Sequence, residues 1–216
     1  SDPTTLSSQP VFSQVQSGDQ IVVYKEAGNV VIYRPSTNTI VKEVAAIKIA
    51  LRNGTTNDDL FRAFVTDLTK QAPNIIITDQ RAATKTDYRK TVLIDPTGTK
   101  KTEAATLAVA LGLGLGDLPQ GEPVPAADFL IIYGGPELVL RNGTATPGAL
   151  TPFQTTLAQI IPTATITSTA PASTTTVAAT FIADPTNKRT AEAAVIAALL
   201  GIGYSPSLQA EPAPQN

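Results

Sequence analysis

Apolar positions between residues 46 and 134 follow two patterns, short uninterrupted runs and runs with helical spacing. Uninterrupted runs are typical of buried strands, whereas apolar residues four positions apart, such as Leu60, Phe64 and Leu68, are typical of one face of a helix. The patterns predict strands at 47–51, 74–78, 91–94 and 129–133, and helices at 58–72 and 100–111. The resulting order, β-α-β-β-α-β, favours an α+β fold in which helices pack on a sheet.

The same pattern occurs twice, at a constant offset of 89 residues. The sequence Leu-Arg-Asn-Gly-Thr at 51–55 recurs unchanged at 140–144. Further segments recur at the same offset: Asp-Pro-Thr at 95–97, Glu-Ala-Ala at 103–105 and Glu-Pro-Val-Pro at 122–125, the last with one substitution. Because every match keeps this spacing without a gap, the chain carries two copies of one domain. We call residues 46–134 copy one and residues 135–216 copy two.

Copy two lacks an equivalent of the last predicted strand. The positions that would match 129–133 of copy one lie past Asn216. We expect either that the parent polypeptide continues or that something else supplies this strand.

The residues before copy one form a different unit. Residues 1–18 are rich in Ser, Thr, Gln and Pro, and are predicted to be a linker. Residues 19–45 contain three β-favouring runs joined by short turns, which predict a small antiparallel meander.

The composition excludes most catalytic chemistry. The sequence contains no Cys, His, Met or Trp. Without Cys and His there is no thiolate or imidazole metal ligand, no disulfide and no Ser-His or Cys-His nucleophile. The net charge of -2 shows no basic excess of the kind that nucleic-acid-binding proteins carry. We therefore expect no enzymatic activity, no metal, no cofactor and no nucleic-acid partner.

Membrane contact is expected only through a segment that precedes Ser1. The apolar stretches around 104–115 and 193–202 are shorter than the roughly 20 residues that a membrane-spanning helix needs. Since the chain has no Met, Ser1 is not a translation start, and we expect it to follow a processed or removed upstream segment.

The repeated motif and the helix after it resemble a known family. The residues that carry the resemblance are 51–55 and 140–144, with the Ala-rich helices at 103–112 and 192–201. They resemble the LytR C-terminal domain, which is found downstream of the catalytic domain of LytR-CpsA-Psr cell-wall proteins and also alone. The N-terminal meander is similar to the membrane-proximal segment of anchored, stand-alone members.

The resemblance implies an extracytoplasmic location in a bacterial cell envelope, usually behind one transmembrane helix. It does not imply catalysis, because the glycopolymer-transferring activity of the wider family belongs to a separate domain. Wall binding and protein–protein contact are the roles usually proposed for the C-terminal domain.

The repeated Asn-Gly-Thr triplets are candidate binding residues. They stand where a strand turns into a helix, and they are Asn53, Gly54, Thr55, Asn142, Gly143 and Thr144. One interpretation is a pocket of backbone N–H groups that binds an anion or a sugar. The favoured interpretation is structural: a glycine with positive φ makes the turn, and the threonine hydroxyl caps the helix.

Other charged residues are predicted to have structural roles. Glu103 and Glu192 are expected in first helical turns, where the helix dipole favours negative charge, rather than facing a substrate. Asp95 and Asp184 are expected to end strands. For a cluster of basic residues two interpretations are open. The cluster contacts anionic wall polymers or lipid headgroups, or it forms a solvated surface of mixed charge. The solvated surface is favoured, because acidic residues lie between the basic ones. This cluster consists of Arg81, Lys85, Arg89, Lys90, Lys100 and Lys101.

The distribution of charge suggests that copy two faces a partner. Copy one carries ten Lys or Arg and ten Asp or Glu, whereas copy two carries three and four. Uncharged, β-favouring surfaces lack the usual protection against edge pairing. The leading hypothesis is therefore a non-enzymatic envelope protein that acts through protein–protein contacts or self-assembly, with self-association through copy two. The alternative is a binding module for peptidoglycan or an anionic wall glycopolymer.

Overall fold

The computed structural model describes residues 14–24, 28–173, 177 and 179–206. Over these residues, a three-stranded antiparallel sheet precedes mixed sheets and four helices. The predicted α+β class is confirmed, and so is the N-terminal antiparallel meander. Residues 1–13 of the predicted linker and residues 207–216 of copy two lie outside the described part of the chain.

The N-terminal sheet consists of three consecutive strands in the order β1-β2-β3. These are β1 (Gln20–Tyr24), β2 (Asn29–Arg34) and β3 (Thr39–Ala45). Ile32 of β2 is fully buried against partly buried Val15, Ile21 and Val41. The small core of this sheet therefore comes from alternate positions of its strands, as expected for a sheet with one covered face.

Copy one contains a five-stranded sheet and two helices. The strands are β4 (Ile47–Asn53), β5 (Ile75–Ala82), β6 (Val92–Ile94), β7 (Gly114–Leu115) and β8 (Phe129–Tyr133), and the helices are α1 (Asp58–Gln71) and α2 (Lys101–Leu111). The strand order is β5-β4-β8-β6-β7, so β8 occupies the centre of the sheet. All five residues of β8 are buried, which explains its uninterrupted run of apolar residues. β7, which pairs with β6 in parallel, was not among the predicted strands.

The described part of copy two contains the counterparts of these elements, except for β8. They are β9 (Glu137–Asn142), α3 (Leu150–Ile160), β10 (Thr165–Pro171), β11 (Phe181–Ala183), α4 (Thr190–Leu200) and β12 (Gly203–Ser205). β9 pairs with β10 in parallel, and β11 pairs with β12 in parallel. In the described part of copy two the strands thus form two separate two-stranded sheets.

Helix α2 of copy one and helix α4 of copy two end in the same way. Gly112 and Gly201 both adopt a left-handed conformation with φ of 64°. The N–H of Gly112 donates to the carbonyl oxygens of Ala108 and Val109. Glycine suits both helix ends, because only glycine adopts this conformation without a steric cost.

Contacts group the described residues into two compact units that differ from the sequence repeats. The first unit draws on Ser1–Arg52, Leu68–Arg81 and Val92–Ile132, and the second on Asn53–Asp67, Ala82–Thr91 and Tyr133–Asn216. Segments of copy one therefore belong to the same compact unit as copy two.

Candidate functional site

The Asn-Gly-Thr turn of copy one is held together by its own side chains. The Oδ1 atom of Asn53 accepts hydrogen bonds from the Thr55 N–H at 3.0 Å and from the Thr55 hydroxyl at 2.9 Å. The Nδ2 of Asn53 donates to Asp58 at 2.9 Å. Both Asn53 and Thr55 are buried. These contacts account for the two polar residues of the motif without a ligand.

Gly54 has a different role from the one predicted. Gly54 and Gly143 both lie outside the left-handed region, so the expected positive φ is wrong. At Gly54 a Cβ atom would lie 2.6 Å from the Tyr133 carbonyl oxygen and 2.7 Å from Cδ2 of Tyr88. The N–H of Gly54 donates to that same Tyr133 oxygen at 2.9 Å. Glycine is needed here because the backbone of the turn approaches the end of β8 closely.

The predicted threonine cap is also wrong. Helix α1 is capped by Asn57, whose Oδ1 accepts a hydrogen bond from the Leu60 N–H at 3.0 Å. The Thr55 hydroxyl instead accepts from the N–H of Asn57 at 3.2 Å and so supports the residue that caps. Two residues separate the turn from the helix start, and Asn is as good an N-cap as Ser or Thr.

The triplet of copy two makes the same turn at a more exposed place. Asn142 Oδ1 accepts from the Thr144 N–H at 3.0 Å and from its hydroxyl at 2.8 Å. The Gly143 carbonyl oxygen accepts from the Val177 N–H at 3.1 Å, as the Gly54 oxygen accepts from Tyr88. The six candidate binding residues thus lie in two equivalent turns.

The two aspartates at strand ends organise the following loops. Asp95 accepts hydrogen bonds from the N–H groups of Thr97, Gly98 and Lys100. Asp184 accepts from the N–H groups of Thr186 and Arg189 in the same way. The recurring Asp-Pro-Thr sequence therefore encodes a loop that connects a strand to a helix, and the predicted structural role is confirmed.

A buried polar cluster surrounds the N-terminus of α4. The carboxylate of Asp67 accepts hydrogen bonds at 3.0 Å from the N–H groups of Ala191 and Glu192. Glu192 Oε1 accepts from the Tyr133 hydroxyl at 2.6 Å, and its Oε2 lies 4.0 Å from Arg189 Nε. The predicted position of Glu192 in a first helical turn is confirmed. Asp67 and Tyr133 carry no sequence signal for this role, because both lie far from α4 along the chain.

The groups around Glu192 shift its pKa in opposite directions. Burial raises the pKa of Glu192, and neighbouring Asp67 and Asp184 act in the same direction. The guanidinium of Arg189 and the Tyr133 hydroxyl act to lower the pKa of Glu192 but do not overcome the effect of burial. The folded state therefore favours protonated Glu192.

We expect Glu192→Gln to raise the free energy of unfolding near pH 7, because the buried side chain at this position no longer ionises. Ionisation of Glu192 costs stability as the pH rises from the ordinary carboxyl value of 4.5 through the raised value in the folded state. Glutamine keeps an acceptor for Tyr133 without this cost. Urea unfolding from pH 4 to pH 8 should show the difference shrinking toward acid. Glu103→Gln, at the equivalent but exposed position of α2, is the control and should leave the free energy of unfolding unchanged. A gain in stability for Glu192→Gln that is the same at every pH would contradict this explanation.

The basic cluster has acidic partners. Arg81 Nε lies 3.5 Å from Asp79, and Lys90 Nζ lies 3.4 Å from Glu137. Lys100 pairs with Asp128, which also accepts a hydrogen bond from the Lys48 N–H. These pairs support the interpretation of the basic cluster as a mixed, solvated surface.

The described strands of copy two form two separate pairs, and the break between the pairs corresponds to the position of the central strand β8 in copy one. In copy one, β8 lies between β4 and β6, whose counterparts are β9 and β11. Within the described residues, no strand lies between β9 and β11. Apolar side chains of β11 are more exposed than their counterparts in β6. Leu93 of β6 is fully buried, whereas its counterpart Ile182 is half-buried and the neighbouring Phe181 is 39% exposed.

The described residues contain no group of three or more His, Cys, Asp or Glu side chains that could hold a metal ion. None of the helices described is long and apolar enough to cross a membrane. No family model, no curated protein and no solved structure matches this chain.

Proposed function

We propose that this chain is a non-enzymatic protein of the bacterial cell envelope that acts through protein–protein contacts, including self-association, at copy two. In this proposal both copies are domains of one β-α-β-β-α-β type, each with a further short strand, β7 or β12, after its second helix, and the second copy lacks the counterpart of β8. The observation that carries the proposal is the separation of copy two into the pairs β9–β10 and β11–β12.

Unpaired strand edges are templates for the addition of another strand. Each edge presents backbone N–H and C=O groups that gain hydrogen bonds when a further strand pairs with them. Proteins usually protect such edges with charged side chains, yet β10, β11 and β12 carry no charged residue at all. Copy two is thus chemically suited to pairing with another polypeptide.

The non-enzymatic character rests on the chemistry of the residues present. The sequence offers no imidazole and no thiol. The buried carboxyl groups of Asp67 and Glu192 accept hydrogen bonds from α4 and from Tyr133. An envelope location and a membrane anchor upstream follow from the resemblance to the LytR C-terminal domain alone.

We expect the average mass of this chain in solution to rise above 22.5 kDa as its concentration increases. Light scattering after size-exclusion chromatography measures this directly. Phe181→Lys should suppress the association, because it places a charge on the exposed residue of β11.

The matched control is Val109→Lys, which places the same charge on an exposed apolar residue of α2 in copy one. This variant should associate like the original chain. Circular dichroism would establish that both variants are folded. A mass of 22.5 kDa at every concentration, or equal association of both variants, would overturn self-association through copy two.

A further inference from the structure

We infer that Asn142 is a site of covalent self-modification, at which the side-chain amide is converted to a carboxylate through a cyclic imide formed with the backbone nitrogen of Gly143. Water is the co-reactant, and neither an enzyme nor a cofactor takes part. Copy one carries the same five residues, Leu-Arg-Asn-Gly-Thr, in a turn that we expect to resist this reaction. The modification is independent of the proposed function, because it depends on the turn alone.

The reaction is that of an asparagine followed by glycine. The Gly143 nitrogen attacks Cγ of Asn142, so that a new N–C bond closes the imide ring while the bond between Cγ and Nδ2 breaks. The proton of the Gly143 N–H leaves with the amide group as ammonia. Water then opens the ring at one of its two carbonyls and yields aspartate or isoaspartate. Glycine permits the attack because it has no Cβ atom to shield its nitrogen.

The turn of copy two brings the reacting atoms together. The Thr144 N–H donates to Asn142 Oδ1 at 3.0 Å, and the ring that this hydrogen bond closes contains both Cγ of Asn142 and the nitrogen of Gly143. The Thr144 hydroxyl donates to the same oxygen at 2.8 Å. Two donors on Oδ1 stabilise the negative charge that this oxygen gains when the nitrogen adds to Cγ. The turn therefore positions the amide and polarises it for attack.

The turn of copy one has the same two hydrogen bonds, but its reacting groups are held by further contacts. The Gly54 N–H donates to the Tyr133 carbonyl oxygen at 2.9 Å, so the nitrogen that would attack is already committed. The Nδ2 of Asn53 donates to the carboxylate of Asp58 at 2.9 Å, which is a charge-assisted bond that fixes the plane of the amide. Reaction at Asn53 therefore requires both hydrogen bonds to break.

The amide of Asn142 is held less firmly. Its Nδ2 donates at 2.9 Å to the carbonyl oxygen of Thr146, a neutral acceptor in an exposed segment. Helix α1 begins at Asp58, whose counterpart in the repeat is Pro147, whereas α3 begins only at Leu150 and has no side-chain cap among the described residues. No capped helix therefore braces the turn of copy two, and rearrangement toward the cyclic imide meets less resistance.

Access to water also differs between the two turns. Residues 53–55 are buried, whereas residues 142–144 are partly or fully exposed. The side chain of Tyr88 packs on Gly54, and the counterpart of Tyr88 is the smaller Val177. Hydroxide removes the backbone proton and water opens the imide ring, so both steps require solvent at the turn. The turn of copy two meets this requirement.

Conversion of Asn142 changes the end of β9. A carboxylate has no N–H to donate to Thr146, so that hydrogen bond is lost and oxygen atoms of like charge face each other. The Asn142 carbonyl oxygen accepts from the Ala172 N–H at 2.8 Å, next to the last pair of β9 and β10. Isoaspartate lengthens the main chain at this place and displaces that carbonyl. The modification thus adds a negative charge and loosens the end of the β9–β10 pair.

The test compares the two turns within one chain. The 216-residue protein is incubated at pH 8 in water labelled with heavy oxygen, digested with pepsin in acid and analysed by mass spectrometry. Each conversion replaces the amide nitrogen by one labelled oxygen atom. Methylation by isoaspartyl methyltransferase identifies the isoaspartate product. We expect Asn142 to convert at least about tenfold faster than Asn53, because reaction at Asn53 must first break the hydrogen bond of Gly54.

The unfolded chain is the matched control. Both asparagines lie within Leu-Arg-Asn-Gly-Thr, so in concentrated urea they should convert at similar rates. Faster conversion of Asn142 in the folded chain, together with similar rates in urea, supports the inference.

Three results would overturn the inference. One is conversion of Asn53 in the folded chain at the rate of Asn142 or faster. Another is the absence of label at Asn142 in the folded chain after the unfolded chain has been fully converted. The third is a difference in urea as large as that in the folded chain, since the cause would then not lie in the structure of the two turns.

Discussion

Replacement of Gly54 by valine should lower the free energy of unfolding by about 3 kcal/mol. The added Cβ would lie 2.6 Å from the Tyr133 carbonyl oxygen, which is backbone within the central strand and cannot move without disturbing the sheet. The substitution would also lengthen the hydrogen bond between the Gly54 N–H and that oxygen. The cause is a steric collision in an already packed turn, and not an unfavourable φ.

Urea unfolding followed by circular dichroism measures this effect. Gly203→Ala is the control, because its Cβ would lie 3.7 Å from Phe181, an ordinary contact, and we expect a change within about 0.5 kcal/mol. Gly143→Val should have an intermediate effect, since its Cβ meets only the side chain of Val177. Unchanged stability of Gly54→Val would show that the turn does not approach β8 this closely.

Removal of the Glu122 carboxylate is the second substitution with a large expected effect. Arg52 on β4 is fully buried, and its Nε lies 2.9 Å from Glu122 Oε1, whose side chain is buried too. A second carboxylate, Asp79, lies 2.9 Å from Arg52 Nη2 but is partly exposed. Glu122→Ala leaves a buried guanidinium with Asp79 as its acidic partner and the Leu51 carbonyl oxygen as a neutral acceptor. We expect a loss of about 3 kcal/mol in the free energy of unfolding.

The comparison that identifies the cause is a double substitution. Arg52→Met combined with Glu122→Leu removes both charges and should recover most of the loss, because no unpaired ion remains buried. Arg62→Ala breaks the exposed Arg62–Asp59 pair, so a change of at most about 0.5 kcal/mol is expected. If Glu122→Ala proves as mild as Arg62→Ala, the buried pair does not hold copy one together.

The Arg52–Glu122 pair explains two recurrences that the sequence showed separately. Arginine recurs at 141 within the Leu-Arg-Asn-Gly-Thr motif, and glutamate recurs at 211 before a Pro-Ala-Pro segment. In copy one the corresponding residues form one buried ion pair. Glu211 lies outside the described residues.

Local periodicity was sufficient where an element is long or strongly apolar. Residues 129–133 form β8 as predicted, because five apolar residues in a row suit a strand that is buried on both faces. β7 was missed because Gly114–Leu115 is too short to show any periodicity. The Asn-Gly-Thr turns were recognised, but the reason for their glycine was not, since it depends on Tyr88 and Tyr133.

The polar contacts of α4 were beyond sequence reasoning for the same reason. Asp67 is an ordinary polar residue of α1 in the sequence. Its carboxylate reaches N–H groups of α4 that lie 124 and 125 residues away along the chain. Glu103 and Glu192 occupy equivalent positions of the repeat, yet one is exposed and the other is buried.

Apart from the short strands β7 and β12, the sequence by itself determined the types of element and their order, and it determined the repeat at an offset of 89 residues, because these depend on local spacing and on identity between segments. Only the tertiary structure decided the strand order β5-β4-β8-β6-β7. That order makes the strand without a counterpart in copy two an inner strand instead of an edge strand. Strand order is set by the packing of segments distant in sequence, and no local pattern of residues records it.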